Sequence, residues 1–182
     1  MKKISKIFIA FIFIILILSV SNYIIKEIIY PKKYHNIVST MSDRYEIDEN
    51  LIYAIIKTES NFDERATSKA NAKGLMQIVD DTAIEISNKI GIDNFNTNMI
   101  YEPEINIEIG TYYIKELYNK YQNKTIAIIA YNAGQGNVDK WIEEGIITLD
   151  NNLEEIPYKE TSTYWKKVLR EYNVYNKLYK NS

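Results

Sequence analysis

One carboxylate in this chain stands where the surrounding pattern asks for an apolar side chain. In "LIYAIIKTESNFD", residues 51 to 63, Ile52, Ile55 and Ile56 fall at i, i+3 and i+4, which is one face of an α-helix. The next position on that face, i+7, is Glu59. Two readings fit this spacing. Either the helix has ended and Glu59 turns into solvent or caps a backbone group, or the carboxylate is held half-buried. In the second case lost hydration penalises the charged form and raises the pKa. The partial negative charge at a helix C-terminus pushes the same way. Such a glutamate stays protonated near neutral pH and can protonate a leaving oxygen, which breaking a glycosidic bond requires.

Composition removes several alternatives. The chain has no cysteine, so disulfides, zinc–thiolate sites and thiol catalysis are excluded. Its only histidine, His35, lies close to the N-terminal segment and is expected to be an ordinary surface residue. Ser-His-Asp chemistry and a multi-histidine metal site are therefore not expected, and neither a metal nor a cofactor is. The formal net charge is -2, with no block of like charges in the body of the chain, so no nucleic acid partner is expected. The 16 tyrosines suit a groove that contacts something amphipathic.

The elements that must position Glu59 are helical. The 182 residues allow one ordinary domain plus a short appendage. Lys2, Lys3 and Lys6 precede a nearly unbroken apolar run from Ile7 to Val20, which reaches Ile25 if Ser21 and Asn22 are tolerated. That is about the ~20 residues of a bilayer-spanning helix. A cleaved signal peptide competes, with Ser19-Val20-Ser21 as a poor cleavage site. The anchor is preferred because the site lacks alanine and apolar residues resume after it. Both readings send the rest of the chain outward, since the lysines hold the N-terminus in the cytoplasm. The expected organisation is a membrane anchor over 1–25, a juxtamembrane linker over 26–45 and a mainly α domain over 46–182. Pro31, Lys32 and Lys33 stand where they could rest at lipid headgroups.

Within the domain, Asp48 is expected to cap a helix running to about Ser60. Residues 68–74 read as a loop, 75–91 as a helix closed by Gly91, and Pro103 as the opening of a long amphipathic helix. Thr125 is the expected cap of "IAIIAYNAG", which is apolar all round and therefore buried. A last amphipathic helix is predicted over 161–178.

Three further strings, in order and separated by helices, sharpen the choice for Glu59: "ESNF" at 59–62, "GLMQ" at 74–77 and "AYNAG" at 130–134. With "NIEIGTYYIKEL" and "IPYKETSTYWKKVL", the set resembles the lytic transglycosylase family of the soluble (SLT) type, which has a goose-lysozyme-like fold. The likeness covers about residues 46–172. It implies cleavage of the β-1,4 bond between N-acetylmuramic acid and N-acetylglucosamine in peptidoglycan without added water. Glu59 would protonate the glycosidic oxygen, then take the proton of the muramyl C6 hydroxyl as it closes on C1 in a 1,6-anhydro ring. The resemblance also implies that Ser60, Met76, Gln77, Tyr131, Asn132 and Glu160 contact substrate, with the Tyr131 hydroxyl near Glu59.

Two positions depart from the family pattern. Asn71 replaces a common glycine, and Asp80 replaces the usual proline after "GLMQ". Asparagine tolerates a left-handed backbone, so the loop can survive. A goose-type muramidase is the rival enzyme. It would need a second carboxylate about 6.5–9.5 Å from the acid, and Asp80 and Asp81 are the candidates. A non-catalytic envelope glycan-binding protein is the rival outside catalysis.

Overall fold

Leu51 to Ile56 are all buried, so the helix that delivers Glu59 runs through the middle of the protein. The computed structural model describes residues 2–148, 153 and 156–179, with the backbone alone for 2–7. Two compact units emerge, Met1–Lys33 and Tyr34–Ser182.

The first unit is α1 (Lys2–Tyr23) followed by a π-helical stretch, Ile24–Ile29. Phe8–Ile29 is 22 residues long and apolar enough to cross a membrane. Most of its apolar side chains, Phe8, Phe11 and Leu16 among them, are exposed.

The second unit is built of helices, joined among others by an irregular stretch over 60–79 that holds two isolated β-bridges, Thr67 with Lys73 and Lys73 with Ile78. It begins with α2 (His35–Tyr45), in a stretch expected to be linker. Val38, Met41 and Tyr45 recur at i, i+3 and i+7 and are buried, which makes α2 part of the domain. Only three apolar positions mark that face, hence its reading as a linker. Next comes α3 (Glu49–Glu59), whose N-cap Asp48 accepts the Asn50 N–H at 2.9 Å, as expected. After α4 (Asp80–Ile90) and a 3-10 turn (Thr97–Tyr101) come α5 (Pro103–Tyr121), α6 (Lys124–Ala133), α7 (Gln135–Glu143) and α8 (Lys159–Tyr179). α8 packs on α3 and α6, α5 packs on α6 and α2, and α4 lies on α5. The cap of α6 is Asn123, whose Oδ1 accepts the N–H groups of Thr125 and Ile126. Thr125 already lies inside the helix.

The expected helix over 75–91 is shortened to α4, with Gly91 closing it at φ +76°. Residues 74–79 fold instead as a tight double turn, with Gly74 and Gln77 in the left-handed region. Asn106 of α5 captures this turn. Its Oδ1 accepts the Met76 N–H at 2.7 Å, and its Nδ2 donates to the carbonyls of Lys73 (3.0 Å) and Ile100 (2.8 Å). Three buried hydrogen bonds outweigh the helical spacing of Leu75, Ile78 and Val79. Gly74 is obligatory here, because a Cβ on it would lie 2.3 Å from Asn106 Nδ2.

Candidate active site

Glu59 is the last residue of α3, where the buried helix meets the surface. It opens onto a cleft of about 380 Å³, also lined by Gln77, Tyr113, Tyr131, Asn132 and Glu160. A second, shallower depression meets the same carboxylate from the side of α8, along Thr58, Tyr164 and Lys167. Glu59 thus stands at the junction of two hollows.

Its electrostatics come from burial and three neighbours. Burial is the largest influence and pushes the Glu59 pKa from 4.5 up to about 7. The Tyr164 hydroxyl donates to Glu59 Oε1 at 2.6 Å and opposes that rise by stabilising the charged form. The Lys167 ammonium also lowers the pKa, while the negative charge of Glu160 raises it. Lys167 is held in place by donating to the Thr58 carbonyl at 3.0 Å. A carboxyl with its pKa near the ambient pH can both release and recover a proton without a large penalty in either direction.

Tyr131, expected near Glu59, lies beside it but does not bond to it. The Tyr131 hydroxyl donates to the Met76 carbonyl at 2.9 Å, not to the carboxylate. It is nonetheless close enough to Glu59 for the carboxylate's charge to help burial push the phenol pKa well up. Tyr131 forms the wall of the cleft and locks the "GLMQ" turn against α6. Tyr164 makes the direct contact. It was missed because one tyrosine among 16 carries no mark of its own. A signal existed: Glu160, Tyr164 and Lys167 recur at i, i+4 and i+7, one polar stripe on the last helix.

The other expected contacts divide. Gln77, Asn132 and Glu160 line the cleft. Gln77 commits its amide nitrogen to the carbonyls of Gly74 (2.9 Å) and Ala66 (3.2 Å), so its side chain meets the cleft as an acceptor. Asn132 accepts the Thr161 hydroxyl at 2.7 Å on its Oδ1, which directs its amide N–H groups elsewhere. Met76 is fully buried and supports the cleft from beneath, against Gly110. A Cβ at Gly110 would stand 2.5 Å from the Met76 sulfur. Ser60 does not line the cleft; its hydroxyl donates to the carbonyls of Leu75 (2.8 Å) and Ile56 (3.2 Å) and ties α3 to the turn. Both residues were expected to touch substrate, and both are occupied by the scaffold.

The two departures from the family pattern meet each other. Asn71 sits at φ +60° and donates from Nδ2 to Asp80 Oδ2 at 3.1 Å. Asp80 Oδ1 pairs with Lys73 Nζ at 2.6 Å. Asp80 thereby latches the loop that presents Ser68, Ala70 and Ala72 to the cleft. Neither Asp80 nor Asp81 lines the hollows around Glu59. Asp80, one of the two aspartates that the muramidase reading named, is committed to Lys73 and Asn71.

A helical domain with a half-buried glutamate at the end of its central helix, facing a tyrosine-walled cleft, has a lysozyme-like architecture. The Transglycosylase SLT domain family matches residues 36–152, and the chain belongs to it. It is similar to the soluble lytic murein transglycosylase of Salmonella typhimurium, 34% identical over 144 residues that make up 77% of this chain and 22% of that protein. It is also similar to the membrane-bound lytic murein transglycosylase C of Edwardsiella ictaluri, 39% identical over 58% of this chain and 32% of that protein. Among solved structures, an inactive glutamate-to-glutamine mutant of the lytic transglycosylase Slt from Pseudomonas aeruginosa superposes with a TM-score of 0.74. Identity there is 30%, over 81% of this chain and 24% of that one. The chain thus spans between about a fifth and a third of the length of these relatives.

Proposed function

We propose that this protein is a peptidoglycan lytic transglycosylase that cuts the bond between N-acetylmuramic acid and N-acetylglucosamine and leaves 1,6-anhydro-muramyl ends. The observation that carries the reading is Glu59, its pKa raised to about 7 at the junction of two hollows. A glycan strand laid through both would place a glycosidic oxygen at that carboxyl. Glu59 donates its proton to the oxygen as the C1–O bond breaks, and the leaving sugar departs as a free alcohol. The carboxylate so formed takes the proton of the C6 hydroxyl, whose oxygen bonds to C1. Glu59 is protonated again, and no water is consumed. Tyr164 holds Oε1 in position and steadies the carboxylate between the two steps. The amide N–H groups of Asn132 and the side-chain carbonyl of Gln77 suit the acceptor and donor of an N-acetyl group.

Family membership and the relatives named lytic murein transglycosylases support the same chemistry, as does the inactivity of a glutamate-to-glutamine mutant in one of them. The apolar Phe8–Ile29 helix and a relative named membrane-bound support a tethered protein. In this reading the helix anchors the chain in a single pass and the domain works outside the membrane. Were the segment cleaved, the domain would be secreted.

Mass spectrometry of products from purified sacculi tests the reaction. Anhydro-muropeptides, lighter by one water than reducing ends, are expected from the wild-type chain, and none from Glu59→Gln. Reducing ends as the main product would assign a muramidase, and unchanged clearing by Glu59→Gln would leave Glu59 without a catalytic role.

A further inference from the structure

Behind Glu59, where α3 meets α8, stands a cluster of charges that the proton transfers above do not use. Tyr164, Lys167 and Glu171 recur at i, i+3 and i+7 on α8, the face that meets the end of α3. The Lys167 ammonium donates to the Thr58 carbonyl, one residue before Glu59, at 3.0 Å. That carbonyl belongs to the last turn of α3, which leaves acceptors unpaired and gathers partial negative charge. Lys167 also borders, with Glu59 and Tyr164, the hollow of about 540 Å³. Its ammonium is bonded to the backbone and not to the carboxyl, yet Glu59 feels its charge. A direct ion pair would favour the carboxylate strongly and drain the proton that the acid must hold. A cation set one step back steadies the carboxylate without emptying the acid.

Glu171 stands behind Lys167 and is only 4 % exposed. Its Oε1 accepts the Nε and Nη2 of Arg170 at 3.2 and 2.9 Å. Its Oε2 is buried and accepts no hydrogen bond among the described residues. A buried carboxylate satisfied on one oxygen is costly unless cations surround it. Lys57 of α3 feels the attraction of Glu171 and the repulsion of Lys167. Lys167 precedes Glu171 by four residues, about one helical turn. Without Glu171 the two lysines would repel each other unopposed, and the half-buried Lys167 side chain could turn to water.

We infer that Lys167 is a positioning residue: fixed on the Thr58 carbonyl and backed by Glu171, it supplies the counter-charge for Glu59 while that carboxylate is ionised between its two proton transfers. The inference rests on the reading of Glu59 as acid and then base. The ammonium is in place before the charge develops, so nothing has to reorganise when the proton leaves. The other ionisable groups about Glu59 are Lys159, Glu160 and Tyr164 of α8, Tyr131 of α6 and Tyr113 of α5. Burial holds the three phenols protonated, with Tyr113 pushed up to about 12 and the other two well above their ordinary value. Lys159 and Glu160 are exposed and opposite in sign. About Lys167 itself stand Lys57, Lys166, Arg170 and Glu171, and Glu171 is the acid among them.

The test titrates the Glu59 carboxyl by NMR in the full-length protein in detergent, and measures kcat and KM for anhydro-end release in parallel. Lys167→Met keeps the stem and removes the charge. Its Glu59 midpoint is expected about one pH unit above wild type, with kcat down about three- to tenfold and KM within about twofold. Lys167→Arg should restore the midpoint and most of kcat. Glu171→Gln separates two roles by sign. If Glu171 acted on Glu59 as a bare negative charge, its removal would lower the midpoint. If it holds Lys167 in place, its removal raises the midpoint as Lys167→Met does, and the double variant goes no further. An unmoved midpoint in Lys167→Met overturns the proposal, as does a midpoint that Lys167→Arg fails to restore. A lowered midpoint in Glu171→Gln overturns the part given to Glu171. The titration needs no turnover, whereas the products of the wild-type chain report on the lytic reaction, so the two readings fail separately.

Discussion

Replacing Tyr164 by phenylalanine keeps the ring and removes one oxygen, so it isolates the hydrogen bond to Glu59. That bond is 2.6 Å long and lowers the Glu59 pKa against the larger upward push of burial. A hydrogen bond to a charged acceptor contributes about 1.5–3 kcal/mol, and about 1.4 kcal/mol corresponds to one pKa unit. Its loss should move the Glu59 pKa up by about one to two units from its value of about 7. The sign follows from the role of donor. The catalytic acid must hold its proton, so wild-type kcat/KM should fall as pH rises through about 7. In Tyr164→Phe the alkaline limb should lie one to two units higher, and the plateau should drop because the carboxyl is less well oriented. Initial rates of anhydro-end formation on purified strands, between about pH 5 and pH 10, give both limbs. Direct titration of the carboxyl by NMR gives the same shift even if turnover is lost. A limb or a titration midpoint at or below the wild-type value would refute the balance of burial against hydrogen bonding derived for this site.

Three other perturbations have defined outcomes. Glu59 in the unfolded chain titrates near 4.5 and in the fold near 7, so between those values the folded state binds more protons and loses stability as pH rises. Glu59→Gln should therefore be more stable than wild type above about pH 7, by up to about 3 kcal/mol, with the gap closing below about pH 4.5. Denaturant unfolding at both ends of the range checks this. Asn106→Leu removes the partners Asn106 gives to the Met76 N–H and the Ile100 carbonyl, while the Lys73 carbonyl keeps the Ile78 N–H, and should cost about 2–5 kcal/mol, read as a fall in the unfolding midpoint. Asp80→Ala unlatches Lys73 and Asn71, so KM for glycan should rise more than kcat falls, and adding Asn71→Gly should change little further.

Local rules carried much of this protein. Asp48 as N-cap, Gly91 as C-cap and the buried run "IAIIA" depend on side chains a few residues apart, and each was legible in the chain. Glu59 was legible for a related reason: a carboxylate at the end of an apolar stripe breaks a pattern, and broken patterns are visible. The turn at 74–79 was not, because Leu75, Ile78 and Val79 keep helical spacing while the residue that unwinds them, Asn106, lies about thirty positions away. Separation in sequence also hid Ser60's bond to Leu75 and the burial of Met76 under Gly110.

The sequence by itself determined which groups could do chemistry: one glutamate in apolar company, no thiol, a single histidine, a polar stripe on the last helix, and an apolar run long enough to cross a bilayer. Only the tertiary structure decided that Tyr164, 105 residues further along the chain, rather than Tyr131, holds that glutamate. It also decided that Asp80 latches the loop through Lys73 and Asn71. Side-chain type limits what an atom can donate or accept, but reach is set by how α3, α6 and α8 pack. A pKa near 7 is a property of that packing, since the desolvation behind it comes from all the groups around the carboxyl at once.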